Sequence, residues 1–244
     1  MERYLYFNGH SSSEYYCHIE HKPEIPVPEA KYEDYEVPGR NGTLHADLGY
    51  YGNITVTYEL YFHGRNPTAE DARTIKKWLA GTPGAHQLSD GYDPSFFYFA
   101  TAKPSSIKNI LDKYGRLSVD FDCDPRHFLV SGYQEIELEN GQTLLNPLDQ
   151  ITLPYLTITG DGDEGKILFN GVEFDVKPSA NQKMYCDCEN WDASDENGAN
   201  ANARVGGTWP GIWQRSTSTL TATAAKFRKA LQFITPSGTK THGS

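Results

Sequence analysis

Residues 35–64, YEVPGRNGTLHADLGYYGNITVTYELYFHG, decide how the chain is read. An extended segment ends at Val37, a turn block Pro38-Gly39-Arg40-Asn41-Gly42 follows, and a short second segment leads into a long strand. In that strand the alternate positions Ile54, Val56, Tyr58, Leu60 and Phe62 are apolar, which places all five on one side of a sheet. Thr55, Thr57, Glu59 and Tyr61 face the other way, so the strand is half buried and central. Asn41-Gly42 is a dipeptide favoured in tight hairpin turns, because both central residues take positive φ. The expectation is a hairpin projecting from a long core strand.

The remaining composition fits a folded, mainly β protein. The 244 residues are 38% hydrophobic and 13% aromatic, enough for one large or two ordinary cores. No apolar run is long enough to span a bilayer, and the start MERYLYFNG lacks the cationic-then-apolar pattern of a secretory signal, so synthesis in a cytoplasm is expected. Four scattered cysteines, Cys17, Cys123, Cys186 and Cys188, read as reduced thiols rather than a disulfide framework. The net charge of −10 argues against a sequence-independent grip on nucleic acid, which needs cations to neutralise phosphates. Residues 133–203 hold fourteen acids and three lysines, whereas 204–244 hold six Lys/Arg and no acid, and the simplest account is that the two stretches pack together in one domain.

Taken in order, residues 3–7 and 15–19 read as strands, and Pro23-Glu24-Ile25-Pro26-Val27-Pro28 as an extended edge or loop segment. A helix follows, capped by Asn66 or Thr68 with Pro67 in its first turn, showing Ala72, Ile75 and Leu79 on one face and stopping at Gly81. Residues 85–100 suggest two strands joined by a turn at 90–94, and 116–124 alternates with Leu117, Val119, Phe121 and Cys123 inward. From Tyr133 the pattern is strands and turns only: 135–139, 153–159, a hairpin over 165–176 with Asn170-Gly171, then 184–188, 218–223 and 230–234, as in a small β-sandwich. DASDENGANANA, residues 192–203, offers little to bury and is expected to be a mobile loop. The expected domains are residues 1–131 and 132–244.

No catalytic constellation stands out. Gly160-Asp161-Gly162-Asp163-Glu164-Gly165-Lys166-Ile167 satisfies G-x-G-x-x-G and nearly satisfies the P-loop pattern, but a β-like segment follows instead of a helix, the loop acids repel phosphate, and Ile167 has no hydroxyl for magnesium. Cys186 and Cys188 lack a matching Cys/His pair for zinc, and His18 and His21 face opposite sides of a strand. The expectation is no enzyme activity, no cofactor and no metal.

The order of features resembles the distal tail proteins of long-tailed phages. The VPGR-NG-L segment before a tyrosine-rich strand, the helix ending Trp78-Leu79, Leu88-Ser89-Asp90 to Phe99-Ala100, and Phe121-Asp122-Cys123-Asp124-Pro125 carry the resemblance in the first half. Asn146-Pro147, Leu153-Pro154, Ile158-Thr159-Gly160, Phe169-Asn170-Gly171 and Gly207-Thr208-Trp209-Pro210-Gly211-Ile212 carry it in the second. Where the family often shows a glycine-asparagine pair, this chain has Gln214-Arg215-Ser216-Thr217.

The resemblance implies an N-terminal β-sandwich-like ring domain with one helix and a projecting hairpin, plus a C-terminal galectin-like β-sandwich. It further implies a homo-hexameric ring at the virion tail tip, joining the tail tube protein to the tail-associated hub protein, with a receptor-binding protein as a further candidate partner. DNA passes through such a ring without specific binding, and no membrane insertion is implied. The hairpin residues Arg40, Leu44, Leu48, Tyr50 and Tyr51 are the expected oligomer interface, since they are more apolar and aromatic than a free loop. The competing reading is a carbohydrate-binding module that recognises a cell-surface saccharide through Trp191, Trp209 and Trp213.

Overall fold

A computed structural model describes residues 3–103, 115–136, 141, 143–146, 151–160, 164–169, 171–212, 217–223, 228–232 and 236–237. The chain divides into two compact units, Met1–Arg126 and His127–Ser244. The break read from the sequence, at 131/132, lies five residues further on.

The first unit comprises β1 (Leu5–Phe7), β2 (His10–Ser11), β3 (Cys17–Ile19), β4 (Ala30–Glu36), β5 (Thr43–Tyr51), β6 (Ile54–Phe62), α1 (Ala69–Ala80), β7 (His86–Asp90), β8 (Phe96–Ala102) and β9 (Arg116–Cys123). Its antiparallel sheet runs β2-β1-β7-β8-β9-β6-β3. β6 is interior, with every second residue from Ile54 to Phe62 buried as its alternation predicts. Its partner β9 is in register, Val56 opposite Phe121 and Tyr58 opposite Val119, so the two apolar faces coincide.

Helix α1 covers that face with Ile75, Trp78 and Leu79, while Ala72 is only half-buried. Trp78 stacks on Tyr15 at 4.6 Å and donates its indole N–H to the Phe7 carbonyl at 3.0 Å, which satisfies the one polar atom it buries. The helix starts at a capping box: the Thr68 hydroxyl accepts from the Asp71 N–H, and the Asp71 carboxylate accepts from the Thr68 N–H. Thr68 is therefore the cap and Asn66 is not, and Pro67 lies just outside the helix instead of in its first turn.

The second unit comprises β10 (His127–Leu129), β11 (Glu135–Ile136), β12 (Thr143–Leu145), β13 (Tyr155–Thr159), β14 (Gly165–Phe169), β15 (Val172–Val176), β16 (Lys183–Asp187), β17 (Asp192–Asp195), β18 (Val205–Gly207), β19 (Thr217–Thr223), β20 (Arg228–Gln232) and β21 (Pro236–Ser237). Two antiparallel five-stranded sheets, β11-β20-β13-β16-β17 and β12-β19-β14-β15-β18, account for most of it, and β10 pairs with β21. Leu156, Ile158, Ile167, Phe174, Val176, Met184, Cys186 and Cys188 form the core. Glu137, Leu138, Glu139, Pro147, Asn170, Trp213, residues 214–216 and Ile234, all of which enter the sequence reading, lie outside the described residues.

The stretch 192–203 corrects its expectation. Residues Asp192–Asp195 form β17, paired with β16, and Ala193 and Ala201 are buried in the core. The Ala201 N–H donates to the Ala193 carbonyl at 2.7 Å, and the Asp195 carboxylate accepts from the N–H groups of Asn197 and Ala199 at 2.9 Å each. The segment holds itself by side-chain-to-backbone bonds and buries two methyl groups, a role that composition alone conceals.

Candidate assembly surface

β4 and β5 form a two-stranded sheet of their own. The register pairs Tyr35 with Leu44, Asp34 with His45 and Tyr32 with Asp47, and shifts between Ala30 and Tyr32. A two-stranded ribbon is marginally stable by itself in water, so its covalent anchorage and local bonds matter.

The connection between its strands differs from the expected Asn-Gly turn. Val37 to Gly42 make a six-residue loop, in which the Val37 carbonyl accepts from the Arg40 N–H at 3.1 Å and Gly39 takes φ +84°. Pro38 at the second position and Gly39 at the third suit a type II turn, where the third residue needs positive φ. Asn41 keeps negative φ, and Gly42 at +83° is the other left-handed residue of the loop. At the far end the Gly49 N–H donates to the Asp47 carboxylate at 2.8 Å with φ +75° at Gly49, beside the register shift. The Gly52 N–H closes the base on the Glu29 carbonyl at 2.9 Å.

All five expected interface residues lie on this ribbon and its loop, and all are exposed: Arg40 in the loop, and Leu44, Leu48, Tyr50 and Tyr51 on β5. The sequence reading missed their company. Ile25, Val27, Tyr32, Tyr35 and Val37 are exposed on the same arm, so residues 25–51 carry nine of the sixteen exposed large hydrophobic side chains among the described residues. A signal for them was present in the two tyrosines of β4, whose partner is β5, and in the proline-rich lead-in.

The ribbon is also two-sided. Pairs directly opposite each other share a face, so Tyr35, Leu44, Glu33 and Ala46 lie on one side, with Leu48 by alternation. Glu36, Thr43, Asp34, His45, Tyr32 and Asp47 lie on the other. The Asp34 carboxylate and the His45 Nδ1 meet in a hydrogen bond across that polar side, while the Tyr35 hydroxyl donates to Glu33 at 2.6 Å.

The two described tryptophans of the saccharide reading, Trp191 and Trp209, make no ring contact with each other. Trp209 packs against Phe174 at 5.0 Å, Trp191 stands exposed on a turn held by the Asp187 carboxylate, and Trp213 lies outside the described residues. At the phosphate-loop decoy, Gly165 begins a strand, and Lys166 pairs with Glu173 at 2.7 Å and Asp175 at 3.8 Å. That lysine is held by two carboxylates of the neighbouring strand, and no helix N-terminus follows it.

All four thiols are buried and free. Burial pushes Cys17, Cys123 and Cys186 up to about 12 and Cys188 higher still, which leaves them protonated and unsuited to nucleophilic work. Among the described residues, one group offers three metal-type ligands, Glu20, His21 and Glu59. No helix among them is long and apolar enough to cross a membrane.

Comparison with known proteins gives a structural match without a sequence match. No protein-family model and no curated protein matches the chain. The crystal structure of the SPP1 Dit (gp 19.1) protein, described as a paradigm of the hub adsorption apparatus in Gram-positive infecting phages, superposes with a TM-score of 0.66 at 13% identity, over 96% of this chain and 98% of that one. Agreement over nearly the whole of both chains at so low an identity is a likeness of fold. The fold of this chain is that of a phage distal tail protein.

Proposed function

We propose that this chain is a structural protein of a phage or prophage tail tip, a homo-hexameric ring that joins the tail tube to the tail-associated hub protein. The observation that carries the proposal is the arm at 25–51, which leaves nine large hydrophobic side chains between 37% and 77% exposed. Exposed apolar surface of this density is interface surface, and Tyr and Arg are frequent anchors in such contacts. At about 3.3 Å per residue, the nine-residue β5 reaches about 30 Å, enough to lie along a neighbouring subunit.

The hub adsorption role of SPP1 Dit supports placement at the tail tip of a virion, and its kind supports a structural rather than a catalytic protein. In this reading residues 1–131 build the ring, residues 132–244 form the outer galectin-like attachment domain, a receptor-binding protein docks outside, and DNA crosses the lumen unbound. The chain's net charge of −10 suits a passage that should not retain phosphates. The saccharide module is the weaker reading, since it has the single exposed Trp191 and no second ring beside it among the described tryptophans.

Light-scattering mass of the purified chain tests the proposal. The expected value is six chain masses, falling in a folded Leu44→Asp/Tyr51→Asp variant. A monomeric wild type sinks the ring, and an undiminished hexamer in the folded variant removes the arm from its assembly.

A further inference from the structure

Strand β3 is the edge of the first unit's sheet and ends at Ile19, but its pairing continues one residue further, where the Glu20 N–H donates to the Glu59 carbonyl at 2.8 Å. That bond sets Glu20 beside Glu59, and the turn away from the sheet brings His21 to the same place. One ligand atom from each of Glu20, His21 and Glu59 lies within 4.8 Å of the other two. Arg116 pairs with Glu20 at 2.5 Å, whereas the exposed Glu59 carboxylate faces no cation or donor among the described residues. Carboxylates side by side on neighbouring strands repel, and the arginine neutralises only one of them.

We propose that Glu20, His21 and Glu59 form a divalent transition-metal site that clips the edge strand to β6. An imidazole nitrogen combined with two carboxylates suits a zinc-type ion, whereas calcium and magnesium take oxygen ligands alone. Ligands about 2.0 Å from a tetrahedral ion stand about 3.3 Å apart, so the group must draw together by up to about 1.5 Å, the His21 imidazole already lying 4.0 Å from the Glu20 carboxylate. His21 and Glu59 are exposed and can turn to do so, and only Glu20, already held by Arg116, is anchored. The neighbouring row offers a rival: His18 lies 5.4 Å from Tyr61, 4.8 Å from Tyr4 and 5.2 Å from His63 by ring centroids, two imidazoles without a carboxylate between them. Glu59 lies 38 residues from His21 in the chain, and only strand pairing brings it near, against the expectation of no metal.

The test is calorimetric titration of the full chain, stripped with a chelator, with zinc chloride and separately with magnesium chloride, alongside thermal melts. The expected result is zinc uptake with a raised melting midpoint and no response to magnesium. Because even outer-shell partners of a metal site are worth about tenfold to a hundredfold, His21→Asn and Glu59→Gln should each lose one ion per chain or weaken its binding by at least that much. His18→Asn should bind as the wild type does. No zinc uptake, uptake unchanged in both His21→Asn and Glu59→Gln, or uptake lost in His18→Asn overturns the site.

Discussion

The Tyr58 hydroxyl donates a 2.8 Å hydrogen bond to the Asp90 carboxylate, and both side chains are buried. The other oxygen of Asp90 accepts from the N–H groups of Tyr92 and Asp93 at 2.8 and 3.1 Å, so one carboxylate ties β6 to the turn between β7 and β8. Tyr58→Phe is expected to destabilise the first unit by about 1.5–3 kcal/mol, the range for a hydrogen bond to a charged group, and Asp90→Ala by more, because three donors lose their acceptor. Denaturant unfolding of the variants measures both. Burial, reinforced by Asp90, holds the Tyr58 phenol well above its usual value. The unfolded chain therefore releases that proton first, and this contribution is complete below about pH 10 and declines as pH rises above it. Tyr58→Phe should flatten that part of the alkaline limb.

Thr68 and Asp71 start the only α-helix among the described residues, and Asp71 also takes two bonds from Arg65, at 2.6 and 2.7 Å. Arg65, with the Thr68 bonds, holds the Asp71 carboxyl well below the usual carboxylate range. A depressed value in the folded state gives stability that is present above about pH 4 and is lost as pH falls below it. Asp71→Asn should therefore lower stability at pH 7 and show less further loss on acidification. Thr68→Ala should cost about 1 kcal/mol at pH 7 through the lost cap. Urea midpoints at pH 7 and pH 3 check both.

The two sides of the arm should behave differently. Leu44→Asp or Leu48→Asp places charge on the apolar side and is expected to reduce assembly mass, whereas Asp34→Asn and Glu36→Gln on the opposite side should leave it unchanged. Sedimentation of the four variants decides it, and equal effects from the two sides would remove the distinction.

The four thiols should resist a disulfide-exchange reagent in the native protein and all react in denaturant. Their folded values are raised by burial, Cys186 to about 12, so they contribute stability below the unfolded thiol value of about 8.5 that declines as pH rises through that interval. Early labelling of Cys186 in the native state would contradict its placement.

Residues 192–203 are expected to survive limited proteolysis longer than a free loop would. Ala193→Leu should destabilise the second unit by about 1–3 kcal/mol through overpacking, since Ala193 has no exposed surface. Cleavage there before any other site, or a stability unchanged in the variant, would restore the loop description.

The sequence by itself determined the elements whose partners are local or whose pattern is long. β6 and β9 alternate over eight or nine residues, α1 carries its own cap and stop, and the 165–176 hairpin declares its turn. A period of two or of 3.6 records which side of an element is buried, whichever apolar residues carry it. The tertiary structure decided what depends on contacts between distant residues. It showed β17 as a paired strand because Ala193 packs on the core opposite Cys186, and a methyl group carries too little pattern to announce that. It lengthened the arm back to Ala30 because β5 supplies β4 with a partner, and it set Glu59 beside His21 across a strand pair. Register is a property of two strands together, so one strand's residues constrain it only through the turn that joins them, and here the joining turn had six residues where the Asn-Gly signal suggested two.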